Sequence, residues 1–209
     1  MKNALDADFL IFDLGNVIID IDYDRAFELL KQTVPTHLHP RVDEFYLTDF
    51  HKDYECGRLD SDAFRREVNA YFEFNLEDHK IDHLWNSLLG KIPKERLELI
   101  AKLRENFQVG VLSNTNLIHI HAVNKILKED HGIDNFDPIF DWVFLSHEMG
   151  FAKPFPEIYE KMLMDLGTSA DRVIFFDDLE ANVKGAASVG IQAIHVTGPT
   201  VLFDYFKHV

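Results

Sequence analysis

The chain has 209 residues, 46% hydrophobic and 27% charged, a globular composition that excludes a disordered or fibrous protein. Its 36 acidic against 21 basic residues leave a formal charge of −15, which excludes partners held by a basic surface, nucleic acid and anionic membranes among them. The one cysteine, Cys56, can form no internal disulfide, and no stretch approaches the roughly 18 apolar residues of a membrane span.

Asp6 and Asp8 precede the first apolar run, where a secretory signal would carry a basic start, so a reducing, cytoplasmic location is expected. The length suits one domain, or one domain with a modest insertion, whose core needs neither disulfide nor structural metal. A monomer is the default expectation.

Phe9–Phe12 is the first of five short apolar runs; the others are Val109–Leu112, Trp142–Leu145, Val173–Phe176 and Ala193–Val196. Each is too short for an ordinary helix and rich in β-branched or aromatic residues, the pattern of strands buried on both faces of a parallel sheet. After the first run, residues 23–92 change character. Phe27, Leu30 and Val34, then Phe64, Val68, Tyr71 and Phe72, recur at helical spacing with no buried strand among them. A simple crossover would need far fewer residues. The stretch therefore predicts a helical cap, inserted into a core made of residues 1–22 and 93–209. Pro93–Glu105, Pro156–Leu166 and Glu180–Val189 predict helices, the last stopped by Gly190. The expected fold is α/β: a Rossmann-like parallel sheet with helices on both faces and a small cap after the first strand.

Polar groups close these runs. Asp13 follows the first, Ser113 the second, and Asp177 and Asp178 the fourth, while Lys153 lies a short loop beyond the third. Strand ends converge in a parallel sheet, so these groups are expected in one crevice, with the cap above it to exclude water. A carboxylate nucleophile, a hydroxyl, an ammonium and an acid pair can perform phosphoryl transfer through an acyl phosphate. A divalent metal would offset the repulsion between carboxylate and phosphate.

Phe12-Asp13-Leu14-Gly15-Asn16-Val17, Leu112-Ser113-Asn114-Thr115-Asn116, Gly150-Phe151-Ala152-Lys153-Pro154 and Phe176-Asp177-Asp178-Leu179-Glu180-Ala181-Asn182 resemble, in order, the four motifs of the haloacid dehalogenase superfamily. The resemblance spans nearly the whole chain. It is nearest to the capped phosphatase branch, with the bacterial glucose-1-phosphate phosphatases and the phosphatase domain of soluble epoxide hydrolases. It implies that Asp13 is nucleophile and metal ligand, and that the Gly15 carbonyl and Asp178 also bind Mg²⁺. Asp177 would act more through water. Ser113 and the Asn114 amide would hold phosphate. Lys153 would neutralise the phosphate and keep Asp13 ionised.

The implied activity is Mg²⁺-dependent hydrolysis of a small phosphorylated metabolite such as a sugar phosphate. A haloacid dehalogenase, or a non-catalytic binding protein on this scaffold, is the alternative. Gly15 departs from the family pattern, which places an acid/base Asp two residues after the nucleophile. Asp20 and Asp22 are candidate replacements, or else turn and helix-entry carboxylates. Without a proton donor, substrates with an acidic leaving oxygen, aryl or anomeric, are expected to react best. Arg58 reads either as a cap contact to the substrate or as a solvated loop residue. His37/His39, His79/His83 and His119/His121 lack the partners of a zinc site; His119 and His121, shortly after the second motif, read either as crevice-lining or as surface residues, with the surface expected.

Overall fold

The structure, a computed structural model, describes residues 5–209. Five parallel strands form one sheet: β1 (Phe9–Phe12), β2 (Gln108–Ser113), β3 (Trp142–Leu145), β4 (Val173–Asp177) and β5 (Gln192–His195), in the order β3-β2-β1-β4-β5. β1 lies at the centre, with Phe12 in register with Val111 and with Phe176. All five expected strands are present. Two run one residue further than their apolar runs, so that Ser113 and Asp177 are themselves the last residues of β2 and β4.

Five helices occupy the stretch between β1 and residue 92: α1 (Tyr23–Thr33), α2 (His39–Glu44), α3 (Asp49–Glu55), α4 (Ser61–Tyr71) and α5 (Asp78–Asn86). The remaining helices are α6 (Lys94–Leu103), α7 (Leu117–His131), α8 (Ser146–Met149), α9 (Pro156–Leu166), α10 (Glu180–Ser188) and α11 (Val201–Tyr205). Three entries in the helical cap are set by short polar side chains. Asp22 accepts from Arg25 N before α1, Thr48 from His51 N before α3, and Asp60 from Ala63 N before α4.

The alternation of each strand splits the core into two layers. Leu10, Phe12, Val109, Val111, Ile174 and Phe176 pack toward α6, α7 and α11. Ile11, Leu112, Val173 and Phe175 pack toward α9 and α10. Phe12 and Phe176 stack across the central strands with ring centres 4.8 Å apart. The cap has its own aromatic core, in which Phe45, Phe64, Phe72 and Trp85 are buried. No helix among the described residues is long and apolar enough to cross a membrane.

Candidate active site

The carboxyl ends of β1, β2 and β4 meet in register, and the residues expected in one crevice are there. Asp13 leaves β1 with its backbone N–H held by the Phe176 carbonyl at 2.8 Å. Lys153 is buried, and its Nζ bridges Asp13 Oδ1 at 2.8 Å and Asp177 Oδ2 at 2.6 Å while donating to the Leu112 carbonyl at 2.9 Å. The loop carrying Lys153 is clamped by Asn114, whose Oδ1 accepts from Lys153 N at 2.8 Å and whose Nδ2 donates to the Lys153 carbonyl at 2.9 Å. Ser113 lies buried beside them, with its Oγ donating only a long 3.4 Å bond to the Asn114 carbonyl.

The two adjacent acids differ in surroundings. Asp177 is fully buried and both its oxygens are taken, by Lys153, by Leu179 N at 2.8 Å and by Asn182 Nδ2 at 3.0 and 3.1 Å. Asp178 reaches the cavity, and its Oδ2 accepts from Asn16 Nδ2 at 2.8 Å. Asn16 holds that pose from a left-handed backbone (φ +53°), a conformation asparagine tolerates, with its Oδ1 accepting from Ile21 N.

Three carboxylates, Asp13, Asp177 and Asp178, come within 4.8 Å of one another, and the first two share the Lys153 ammonium. Burial pushes the Asp13 carboxyl up to about 7; Lys153 pulls it down, and Asp177 and Asp178 push it further up. Burial works against the Lys153 charge, but Asp13 and Asp177 outweigh it and hold the ammonium above its usual range. Asp178 is raised as well, chiefly by burial. An all-oxygen cluster with excess negative charge is the donor set that a hard divalent cation such as Mg²⁺ fits.

Above these groups a cavity of about 260 Å³ opens beneath the cap. Tyr23, Tyr46, His51, Glu55 and Trp85 line its upper wall, and Asp13, Gly15, Ser113, Asn114, Lys153 and Asp178 its floor. Its size is at the small end of ligand-binding cavities.

A family model described as haloacid dehalogenase-like hydrolase matches residues 7–190. The chain belongs to this family. Over 88% of each chain it is 26% identical to the D-ribitol-5-phosphate phosphatase of Bacteroides thetaiotaomicron. It is 42% identical to the sesquiterpene phosphatase astK of Aspergillus oryzae, across 90% of this chain and 88% of that one. The fold superimposes with a TM-score of 0.82 on a family enzyme from Bacteroides thetaiotaomicron solved with magnesium and inorganic phosphate. That pair is 33% identical, with 90% of this chain and 93% of the other covered.

The structure places the residues of this haloacid dehalogenase-like hydrolase whose reading was open. Asp20 is tied to Arg96 Nη1 at 2.9 Å and Asp22 caps α1; neither lines the cavity. Arg58 pairs with Asp53 in an exposed loop and also stays outside it. His119, expected at the surface, lines the cavity: its ring stacks on Trp85 at 4.8 Å, and its Nδ1 is 2.8 Å from Asn86 Oδ1. His121, by contrast, is exposed. Tyr23, Tyr46 and Trp85 were not legible as wall residues, because aromatic positions in the cap read as core, and nothing in the sequence marks His51 or Glu55 as facing the site.

His119 is expected to make stability acid-sensitive. Burial lowers its pKa from 6.5 to about 3, with nearby His51 adding to the effect. The unfolded chain therefore binds this proton first. The contribution is complete above about pH 6.5 and is lost as the pH falls toward 3. Urea unfolding at pH 7 and pH 5 checks this: the parent is expected to lose roughly 1–2 kcal/mol more over that interval than His119→Gln.

Proposed function

We propose that this haloacid dehalogenase-like hydrolase is a Mg²⁺-dependent phosphatase acting on a small phosphorylated metabolite, a sugar or polyol phosphate by class, through an aspartyl phosphate on Asp13. The observation that carries the reading is buried Lys153 between Asp13 and Asp177, beside Ser113 on the cavity floor. A lysine in that place orients the nucleophile and offers its charge to an incoming phosphate. An Asp13 oxygen attacks phosphorus as the ester oxygen departs. Ser113 Oγ, the Asn114 amide and Lys153 hold the phosphoryl oxygens in line. Water then cleaves the acyl phosphate at phosphorus and restores the Asp13 carboxylate.

Asp13, the Gly15 carbonyl and Asp178 would hold Mg²⁺, which when bound neutralises charge between the carboxylate and the phosphate. With both oxygens bound by protein donors, Asp177 is assigned to positioning Lys153 and to contact with the metal through water. Residues 23–92 serve as the cap and residues 1–22 and 93–209 as the catalytic core, in a cytoplasmic monomer. Tyr23, Tyr46 and Trp85 offer flat apolar faces to the organic part of the substrate. The acid pair and its excess negative charge favour metal-assisted reaction at phosphorus over halide displacement at carbon.

The test is phosphate release from a panel of monoesters, with glucose 1-phosphate, ribitol 5-phosphate, farnesyl phosphate and p-nitrophenyl phosphate among them, in Mg²⁺ and in EDTA. Mg²⁺-dependent release from a sugar or polyol phosphate is expected. Release from farnesyl phosphate alone would transfer the substrate class to terpenoids. Halide release from 2-chloropropionate with no phosphate release would overturn the proposal. Asp178→Ala is expected to raise the half-saturating Mg²⁺ concentration at least about tenfold. An unchanged Mg²⁺ titration would remove Asp178 from the ligands.

A further inference from the structure

Gly15 leaves the proposed reaction without the acid that should stand two residues after the nucleophile, and neither Asp20 nor Asp22 reaches the cavity. Three carboxyl groups do: Asp13, Asp178 and Glu55. Asp13 is held by Lys153 and Asp178 by Asn16. Glu55 ends α3 with its side chain only 24% exposed, and its Oε1 lies 3.8 Å from His51 Nε2.

The end of α3 is fixed to the core. The Glu55 carbonyl accepts from Ser146 Oγ at 2.6 Å. The same Oγ contacts the Thr115 carbonyl at 3.1 Å and accepts from Thr115 N at 3.0 Å, two residues beyond Ser113. Just past it, Gly57 adopts φ +67° against the His147 backbone, where a Cβ would overlap the carbonyl. The cap thus carries the Glu55 side chain, but the core segments that supply the phosphate-binding groups set its place.

Granted the phosphatase reading, we propose that Glu55 is the acid and base of the reaction, in the role that Gly15 cannot fill. As the Asp13 oxygen bonds to phosphorus and the ester P–O bond breaks, the Glu55 carboxylic acid gives its proton to the departing oxygen. The alcohol leaves, and Glu55 becomes a carboxylate. That carboxylate next takes a proton from water while the water oxygen bonds to phosphorus and the Asp13–phosphorus bond breaks. Inorganic phosphate, the Asp13 carboxylate and protonated Glu55 result, ready for the next cycle.

The surroundings suit both halves. Burial pushes the Glu55 carboxyl up to about 7, against the pull of Lys153, so acid and carboxylate are both populated at neutral pH. The other titratable groups near it are committed. His51 is lowered to about 4 by burial and stays neutral. Tyr23 is raised to about 12, and Tyr46 is raised further, so both keep their protons. Cys56, next in the chain, has its thiol raised by burial. Lys153 remains an ammonium between two carboxylates. A donor at Glu55 also lifts the restriction to acidic leaving groups that Gly15 alone would impose, and admits esters of primary alcohols.

The experiment compares the parent, Glu55→Gln and Glu55→Asp with Mg²⁺ on p-nitrophenyl phosphate and on ribitol 5-phosphate. Nitrophenolate leaves without a proton, so Glu55→Gln is expected to release one equivalent in a burst. It should then turn over about 10²–10⁴-fold more slowly than the parent, because the second half lacks its base. On ribitol 5-phosphate it should show no burst and at least as large a loss. Glu55→Asp should recover part of both rates. Parent-like steady rates in Glu55→Gln, or an equal loss on both esters without a burst, would overturn the role. If Glu55→Gln does not fold, the pH profile of kcat/KM is read on Glu55→Asp: a shifted alkaline limb is expected, and an unmoved one overturns the proposal. A parent that releases phosphate from no ester would instead refute the phosphatase reading itself.

Discussion

Asp13→Asn is expected to lower turnover of p-nitrophenyl phosphate by roughly 10⁴-fold or more while the protein stays folded. The amide has nearly the same shape, so the backbone bond from Asp13 N to the Phe176 carbonyl is unaffected. It cannot form the acyl phosphate. Stability should change little or rise slightly, because the substitution removes one of three crowded carboxylates, itself buried, and leaves Lys153 paired with Asp177. Turnover and melting temperature, measured on both proteins with Mg²⁺, check this. Near-parental turnover would remove Asp13 as nucleophile.

Lys153→Ala is expected to damage stability and activity together. The ammonium is almost wholly buried and lies within 2.8 Å of both Asp13 and Asp177. Its loss leaves two carboxylates without their cation, a defect worth about 3–5 kcal/mol in buried pairs. For a chain of this size that lowers Tm by roughly 6–20 °C. Asp13 would also lose the charge that opposes its protonation, and a protonated Asp13 does not attack. Lys153→Arg keeps the charge but not the compact shape, and should lose less of each. Thermal unfolding and aryl-phosphate turnover of the three proteins decide the matter. Two variants with parental Tm and turnover would mean that Lys153 is dispensable.

The floor of the site was legible in the sequence, and its wall was not. A single Asp or Ser closing a buried strand is usually a turn or cap residue, but here three such runs and the Lys153 loop carry polar groups within four ordered motifs. Asp13, Ser113 and Asp177 therefore stand out at the ends of Phe9–Phe12, Val109–Leu112 and Val173–Phe176. The cap offers no such contrast. Phe64 and Phe72 are buried in its core, while Trp85 and Tyr46 face the cavity as well, and periodicity along a helix does not separate the two kinds of burial. His119 sits between Ile118 and Ile120 on α7, and only the fold shows that Trp85 and Asn86 receive it. The Asn116 cap and Gly132 stop of that helix were the overlooked local signals.

Proton transfer shows the same limit. Asp20 and Asp22 are close to Gly15 in sequence but are spent on Arg96 and on the start of α1. Glu55 is forty residues away, and a hydrogen bond from Ser146 anchors its backbone beside the cavity.

The most direct test of the central claim is chemical trapping at Asp13. The parent protein, turning over excess p-nitrophenyl phosphate with Mg²⁺, is quenched in acid and treated with borohydride, and the peptide containing residue 13 is analysed by mass. An aspartyl phosphate is reduced to homoserine, so homoserine at position 13 is predicted, absent without substrate and absent in Asp13→Asn. Steady phosphate release with Asp13 unmodified throughout would contradict the account.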